Sequence, residues 1–138
     1  MRRFSALIFL LCCVAAGDAT AKECTKYEAY TAESLYPYLS SWNEVHMAYQ
    51  AYGHCNDGAI AEGFDEAISL LWANHWEQVP EMLRETSSDA GFNQFVFKRI
   101  GSETIPMERW QKIVDNAKAH CPSVAQSFCK EVIAYGSK

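Results

Sequence analysis

Residues 59 to 78, Ala59-Ile60-Ala61-Glu62-Gly63-Phe64-Asp65-Glu66-Ala67-Ile68-Ser69-Leu70-Leu71-Trp72-Ala73-Asn74-His75-Trp76-Glu77-Gln78, decide the fold. Ile60, Phe64, Ala67, Ile68 and Leu71 recur three and four apart, which at 3.6 residues per turn lines them up on one face of a helix. Glu62, Glu66, Ser69 and Glu77 fall away from that face. In the preceding loop, His54-Cys55-Asn56-Asp57-Gly58, a side-chain oxygen of Asn56 or Asp57 can cap the free N–H groups of the first turn. One long amphipathic helix over Ala59 to Gln78 is the result.

The helical period continues on both sides. Upstream, Leu35, Leu39, Trp42, Val45, Tyr49 and Tyr52 share a side, giving a helix from about Tyr38 to Tyr52 with Pro37 in its first turn and Gly53 after its end. Downstream, Pro80 marks a new start and a short helix over Glu81 to Glu85. Asp89 can cap a segment carrying Phe92, Phe95, Val96 and Ile100, which Gly101 closes, although Phe95-Val96-Phe97 alone also suits a short strand. Pro106 opens a helix with Trp110, Ile113, Val114 and Ala117 in its stripe down to His120. Ser123-Val124-Ala125-Gln126 has the form of a capping box, so a last helix carries Val124, Phe128, Val132 and Tyr135 inward and ends at Gly136. The fold class is therefore all-α, a single small domain of five to six helices.

Met1-Arg2-Arg3 followed by a run from Phe4 to Ala16 that is apolar apart from Ser5 has the layout of a signal peptide, and Ala19-Thr20-Ala21 has the small-x-small form that precedes cleavage. The run is shorter than the roughly 20 residues a spanning helix needs, so no stable membrane anchor is expected. Residues 1–21 are then a cleaved signal and residues 22–138 the helical domain, addressed to the periplasm or secreted. Near 120 residues, about two-thirds of the unfolded surface is buried on folding, enough for one core.

Cleavage removes Cys12 and Cys13 and leaves Cys24, Cys55, Cys121 and Cys129, an even set in a small exported chain, which reads as a disulfide framework. Four cysteines allow three pairings. On one unbroken helix Cys121 and Cys129 would lie about 12 Å apart, too far for a bridge, but Pro122 and Ser123 break the chain and let it fold back. The favoured pairing is Cys121 with Cys129 and Cys24 with Cys55, worth about 2.6 and about 3.7 kcal/mol in the loop-entropy model. Without its bridge the polar stretch from Lys22 to Glu33 has little to hold it.

The formal charge of −5 becomes about −6 once Arg2, Arg3 and Asp18 are gone. An acidic surface argues against nucleic acid and favours a basic protein partner. The polar residues His54, Asn56, Asp57, Glu62, Asp65 and Glu66 gather at the start of the long helix and form the candidate recognition surface. Their plain reading is a cap and acidic first turns that suit the helix dipole.

His75, one turn beyond Leu71, falls within the apolar stripe and reads as a core histidine that must find a hydrogen-bond partner. His46 lies at the edge of its own helix's stripe, so the two imidazoles could face each other. His46, His75 and Asp57 are the nearest approach to a metal set, with Glu62 as another possible carboxylate, but no paired-histidine spacing exists. Gly58 and Gly63 make no phosphate loop, the acids do not follow calcium-loop spacing, and no haem-attachment motif is present. Ser34, Ser40 and Ser41 lie near His46 without a nucleophile elbow. The four tryptophans are spaced like core residues. No cofactor and no catalytic set is called for.

The stretch Tyr52-Gly53-His54-Cys55-Asn56-Asp57-Gly58-Ala59-Ile60-Ala61-Glu62-Gly63, followed by His75-Trp76 and by His120-Cys121-Pro122 with Cys129, resembles a group of small, uncharacterised exported proteins of Gram-negative bacteria. That resemblance covers most of the domain and implies no activity. In size, export, helical content and cysteine use the chain is also similar to the periplasmic immunity proteins that neutralise type VI secreted amidases. This second likeness implies an inhibitor acting by surface recognition and carries over no inhibitory residue. The function expected is thus a binding or inhibitor-like protein. The rival is a small metal-binding protein or metal-dependent enzyme using His46 and His75 with a carboxylate.

Overall fold

Thr25 begins the first helix of the computed structural model, which describes residues 22–136. The signal-peptide reading of residues 1–21, with Cys12 and Cys13, lies outside the described residues. The Thr25 hydroxyl accepts from the Glu28 backbone N–H at 3.2 Å while the Glu28 carboxylate accepts from the Thr25 N–H at 3.0 Å. This reciprocal capping box starts α1 (Lys26–Leu35), a helix that the hydrophobic pattern did not announce. The stripe of α1 escaped the periodicity because it is narrow and built largely on alanine, with Ala32 buried and Ala29 packed against the core.

Seven α-helices, four 3-10 turns and no strand occur among the described residues, one helix more than the five to six expected. After α1, a 3-10 turn at Tyr36–Tyr38 contains Pro37. The second helix, α2 (Trp42–Tyr52), is capped by the Ser41 hydroxyl and so starts four residues later than the hydrophobic pattern suggested. A second 3-10 turn at Gly53–Cys55 leads to α3 (Gly58–Asn74), where the Asp57 carboxylate accepts from the Gly58 N–H at 2.8 Å. The expected helix to Gln78 is divided: α3 stops at Asn74, a 3-10 turn covers Trp76–Gln78, and α4 (Val79–Ser88) carries Pro80 in its first turn.

Asp89 caps α5 (Ala90–Phe97) through the Phe92 N–H, so Phe95-Val96-Phe97 is helical and not a strand. Pro106 precedes α6 (Met107–Ala119). At the end of the chain Ser123 makes no side-chain cap. Residues Ser123–Ala125 form a 3-10 turn before α7 (Gln126–Tyr135), which leaves Val124 exposed rather than inward.

The core is organised around α3, which packs against α1, α2, α6 and the Tyr36–Tyr38 turn. Trp42, Phe64, Trp72, Phe92 and Phe128 are fully buried, and Trp72 donates its indole N–H to Met82 Sδ at 3.2 Å. Trp76 is also inside and donates to the His120 carbonyl at 3.0 Å. Gly63 lets the Tyr36 ring lie on α3, since a Cβ there would sit 2.0 Å from that ring. Gly101, at φ 75°, takes the left-handed conformation that closes the segment after α5.

Two disulfides staple this assembly in the favoured pairing. Cys24–Cys55, with Cα atoms 4.9 Å apart, ties the N-terminal side of α1 to the end of α2, and Cys121–Cys129, at 6.1 Å, ties the end of α6 to α7 across Pro122. Among the described residues no helix is long and apolar enough to cross a membrane.

Candidate functional site

The bridge at Cys24–Cys55 also shapes the surface, because it fixes the start of α1 against the turn that ends α2. His54 lies at the same end, its Nε2 3.3 Å from Glu28 Oε1. An apolar groove of about 330 Å³ lies between the Leu35–Leu39 segment and α2. Leu35, Tyr38 and Leu39 form one wall, and Met47, Ala51 and Tyr52 the other. Glu44 is the acid on its lining; its carboxylate accepts from the Ser40 N–H at 2.8 Å and the Ser40 hydroxyl at 2.9 Å. Those bonds hold its pKa below the ordinary carboxylate value, so the groove keeps a fixed negative charge at neutral pH.

Large side chains stand exposed on this part of the molecule: Tyr27 is 79% exposed, Tyr30 74%, Tyr38 74% and Met47 61%. Tyrosine and methionine are the residue types that interfaces favour, one for rigid amphipathic area and the other for adaptable packing. The tryptophans, by contrast, stay in the core or pack against it.

On the opposite side of α2, His46 is buried and stacked on Phe92 with ring centroids 4.3 Å apart. Its Nδ1 lies 2.7 Å from Glu85 Oε2 on α4, and its Nε2 lies 3.2 Å from Asp89 Oδ2 at the start of α5. The Gln50 amide and the Tyr49 ring complete its surroundings. Only an imidazolium can donate to both carboxylates. Burial by itself favours the neutral ring, but the bonds to Glu85 and Asp89 outweigh it and raise the pKa above its ordinary value. Asp89 is correspondingly lowered, first by the Phe92 N–H that it caps and then by His46. Both ring nitrogens are thus engaged, which suits a charged clamp between α2, α4 and α5 and not a general base.

The clamp has a pH signature. A raised histidine pKa stabilises the fold fully below the unfolded value near 6.5, and that contribution is lost as pH rises through the folded value. The lowered Asp89 works above its unfolded value of 3.8 and is lost as pH falls through its folded one. At pH 5.5, His46→Gln is expected to cost about 1.5–3 kcal/mol of unfolding free energy, as for a hydrogen-bonded charge. The cost shrinks at pH 8.5. Urea melts of both proteins at the two pH values measure it; a cost that is unchanged or larger at pH 8.5 contradicts the clamp.

The sequence-derived candidates go to several places. His75 is not a core residue: α3 ends before it, its side chain is 50% exposed, and its Nδ1 lies 3.3 Å from Glu77. His46 and His75 therefore do not face each other. Asp57 caps α3, and His46, His75 and Asp57 do not converge. The metal-ligand geometry present among the described residues is Glu28, His54 and Cys55, but the Cys55 sulfur is spent in a disulfide and offers no thiolate.

Of the polar cluster, Asn56 accepts from Arg99 Nη2, and Asp65 is buried against Arg99 Nε at 2.8 Å while accepting from the Ser102 and Thr104 hydroxyls. Glu66 forms a bidentate pair with Arg109, which also donates to buried Ser69 at 2.9 Å. Ser69 thus faces inward, contrary to its place in the helical pattern. Glu62 and Asp57 remain at the surface. The groove itself went unread in the sequence. Leu35 and Leu39, read as part of the second helix's stripe, form its wall.

Compared with known proteins, the chain matches no family model, no curated protein and no solved structure.

Proposed function

We propose that this chain is an exported binding protein, of the inhibitor or immunity type, that recognises a basic protein partner by surface complementarity. The supporting observation is how its charge is distributed. Between Lys26 and Arg84 there is no lysine or arginine, and every charged residue other than histidine in that interval is an acid. Glu33, Glu44, Asp57, Glu62 and Glu77 stand exposed there. The basic residues cluster after Phe97, where Arg99 and Arg109 are taken up by Asp65 and Glu66.

An acidic surface of this kind speeds the approach of a cationic protein and repels acidic ones. Two disulfides fit a periplasmic or secreted setting, since cytosolic thiols are kept reduced. That acidic interval gives no support to a nucleic-acid ligand.

Affinity capture from an envelope extract tests this reading. The native chain is expected to retain a protein of basic isoelectric point that elutes at about 0.5 M salt, where charge attraction is screened over a few ångströms. Glu33→Lys with Glu62→Lys, two exposed changes outside the core, is expected to reduce capture at least ten-fold. Retention of only neutral or acidic proteins, or of nothing specific, contradicts it.

A further inference from the structure

We infer that the groove between the Leu35–Leu39 segment and α2 is the docking site for one basic amphipathic helix of that partner, an inference that rests on the basic-partner reading and gives it an address. The walls are apolar and belong to two different elements, so an inserted ridge would be gripped from both sides. Met47 and Ala51 stand one turn apart on α2, the spacing at which a second helix presents its own i and i+4 side chains. A volume of about 330 Å³ suits a few anchor side chains rather than a whole hydrophobic face.

Charge selects the flanks. Glu44 lies on the lining, Glu33 stands exposed near the end of α1, and no lysine or arginine lies between Tyr27 and Leu83 to compete for them. A lysine or arginine beside the apolar ridge therefore finds carboxylates within the same footprint. The same charges oppose a two-fold dimer through this face, which would set Glu44 and Glu33 against their own copies. The Cys24–Cys55 bridge preorganises the site by fixing α1 before anything binds.

Three synthetic peptides titrated into the isotope-labelled oxidised domain test the site. One is an amphipathic leucine–lysine helix, the second has the same composition scrambled to remove amphipathicity, and the third has glutamate in place of lysine. The expected result is saturable binding of the first, with amide shifts centred on Leu35, Leu39, Met47 and Ala51, and at least ten-fold weaker binding of the other two. Met47→Asp should abolish those shifts with thermal melting unchanged. Met107→Asp, at another exposed methionine, should not.

If the leucine–lysine helix binds but Met47→Asp leaves its affinity intact, the groove assignment fails and the basic-partner reading survives. If neither lysine peptide binds, both fall. Equal binding of the glutamate peptide, or dimerisation that occludes the groove in sedimentation runs of the free protein, also overturns the assignment.

Discussion

Arg99→Met is expected to be the most destabilising single substitution outside the apolar core, lowering the unfolding free energy by about 3–5 kcal/mol. Arg99 is 2% exposed, and its guanidinium lies 3.7 Å from the centre of the Phe95 ring. Its donors are distributed among the Asp65 carboxylate, the Asn56 side chain and the Phe95 carbonyl. Burial pulls its pKa down to about 10, with Asp65 opposing that shift, so it remains charged at neutral pH. Removing the cation leaves the nearly buried Asp65 carboxyl group with only the Ser102 and Thr104 hydroxyls as side-chain partners.

The double variant Arg99→Met with Asp65→Asn should lose less than the sum of its two single changes, because the second removes the orphaned charge created by the first. Urea unfolding followed by tryptophan fluorescence measures all four proteins. Additive losses, or a loss under about 1 kcal/mol for Arg99→Met, contradict the network.

The second large effect is at the bridge. Cys24→Ser with Cys55→Ser frees a 31-residue separation and should cost about 3.7 kcal/mol in the loop-entropy model. The loss should be local as well as global. α1 buries Ala32 and rests Ala29 on the core, so its amides should lose hydrogen-exchange protection well before those of α3. Breaking the Cys121–Cys129 pair, with a separation of 8, should cost less and leave α1 protected. Unchanged protection of α1 after loss of Cys24–Cys55 would show that the bridge does not hold the groove wall.

What the sequence disclosed follows the range of the interactions. α3 was readable because Ile60, Phe64, Ile68 and Leu71 meet one core and repeat at a local period. The favoured disulfide pairing was also within reach, since Pro122 signals the reversal that brings Cys121 to Cys129. His75 misled because periodicity extends a helix until something stops it. The chain leaves α3 at Asn74 so that Trp76 can turn into the core toward the His120 carbonyl, and His75 is left outside.

His46 was placed at the edge of its stripe, but its partners Glu85 and Asp89 lie 39 and 43 residues away, and no local pattern announces them. The same is true of Asp65, whose counter-charge waits on Arg99. Of the acids that read as a recognition surface, Asp65 is a buried strut and Glu66 pairs with Arg109, while Asp57 and Glu62 stay exposed, and the groove is walled by α2 and by the segment that closes α1. Its capping box, Thr25 with Glu28, was the overlooked sign that this polar segment folds.

Site-specific photo-crosslinking in the native cells tests the central claim most directly, with a photoreactive side chain at position 47 in the groove and, as control, at position 107. The account predicts one discrete adduct from position 47, to a basic protein of the oxidising compartment, weakened by Glu33→Lys with Glu62→Lys and missing from position 107. No adduct at 47, or the same adducts from both positions, would contradict it.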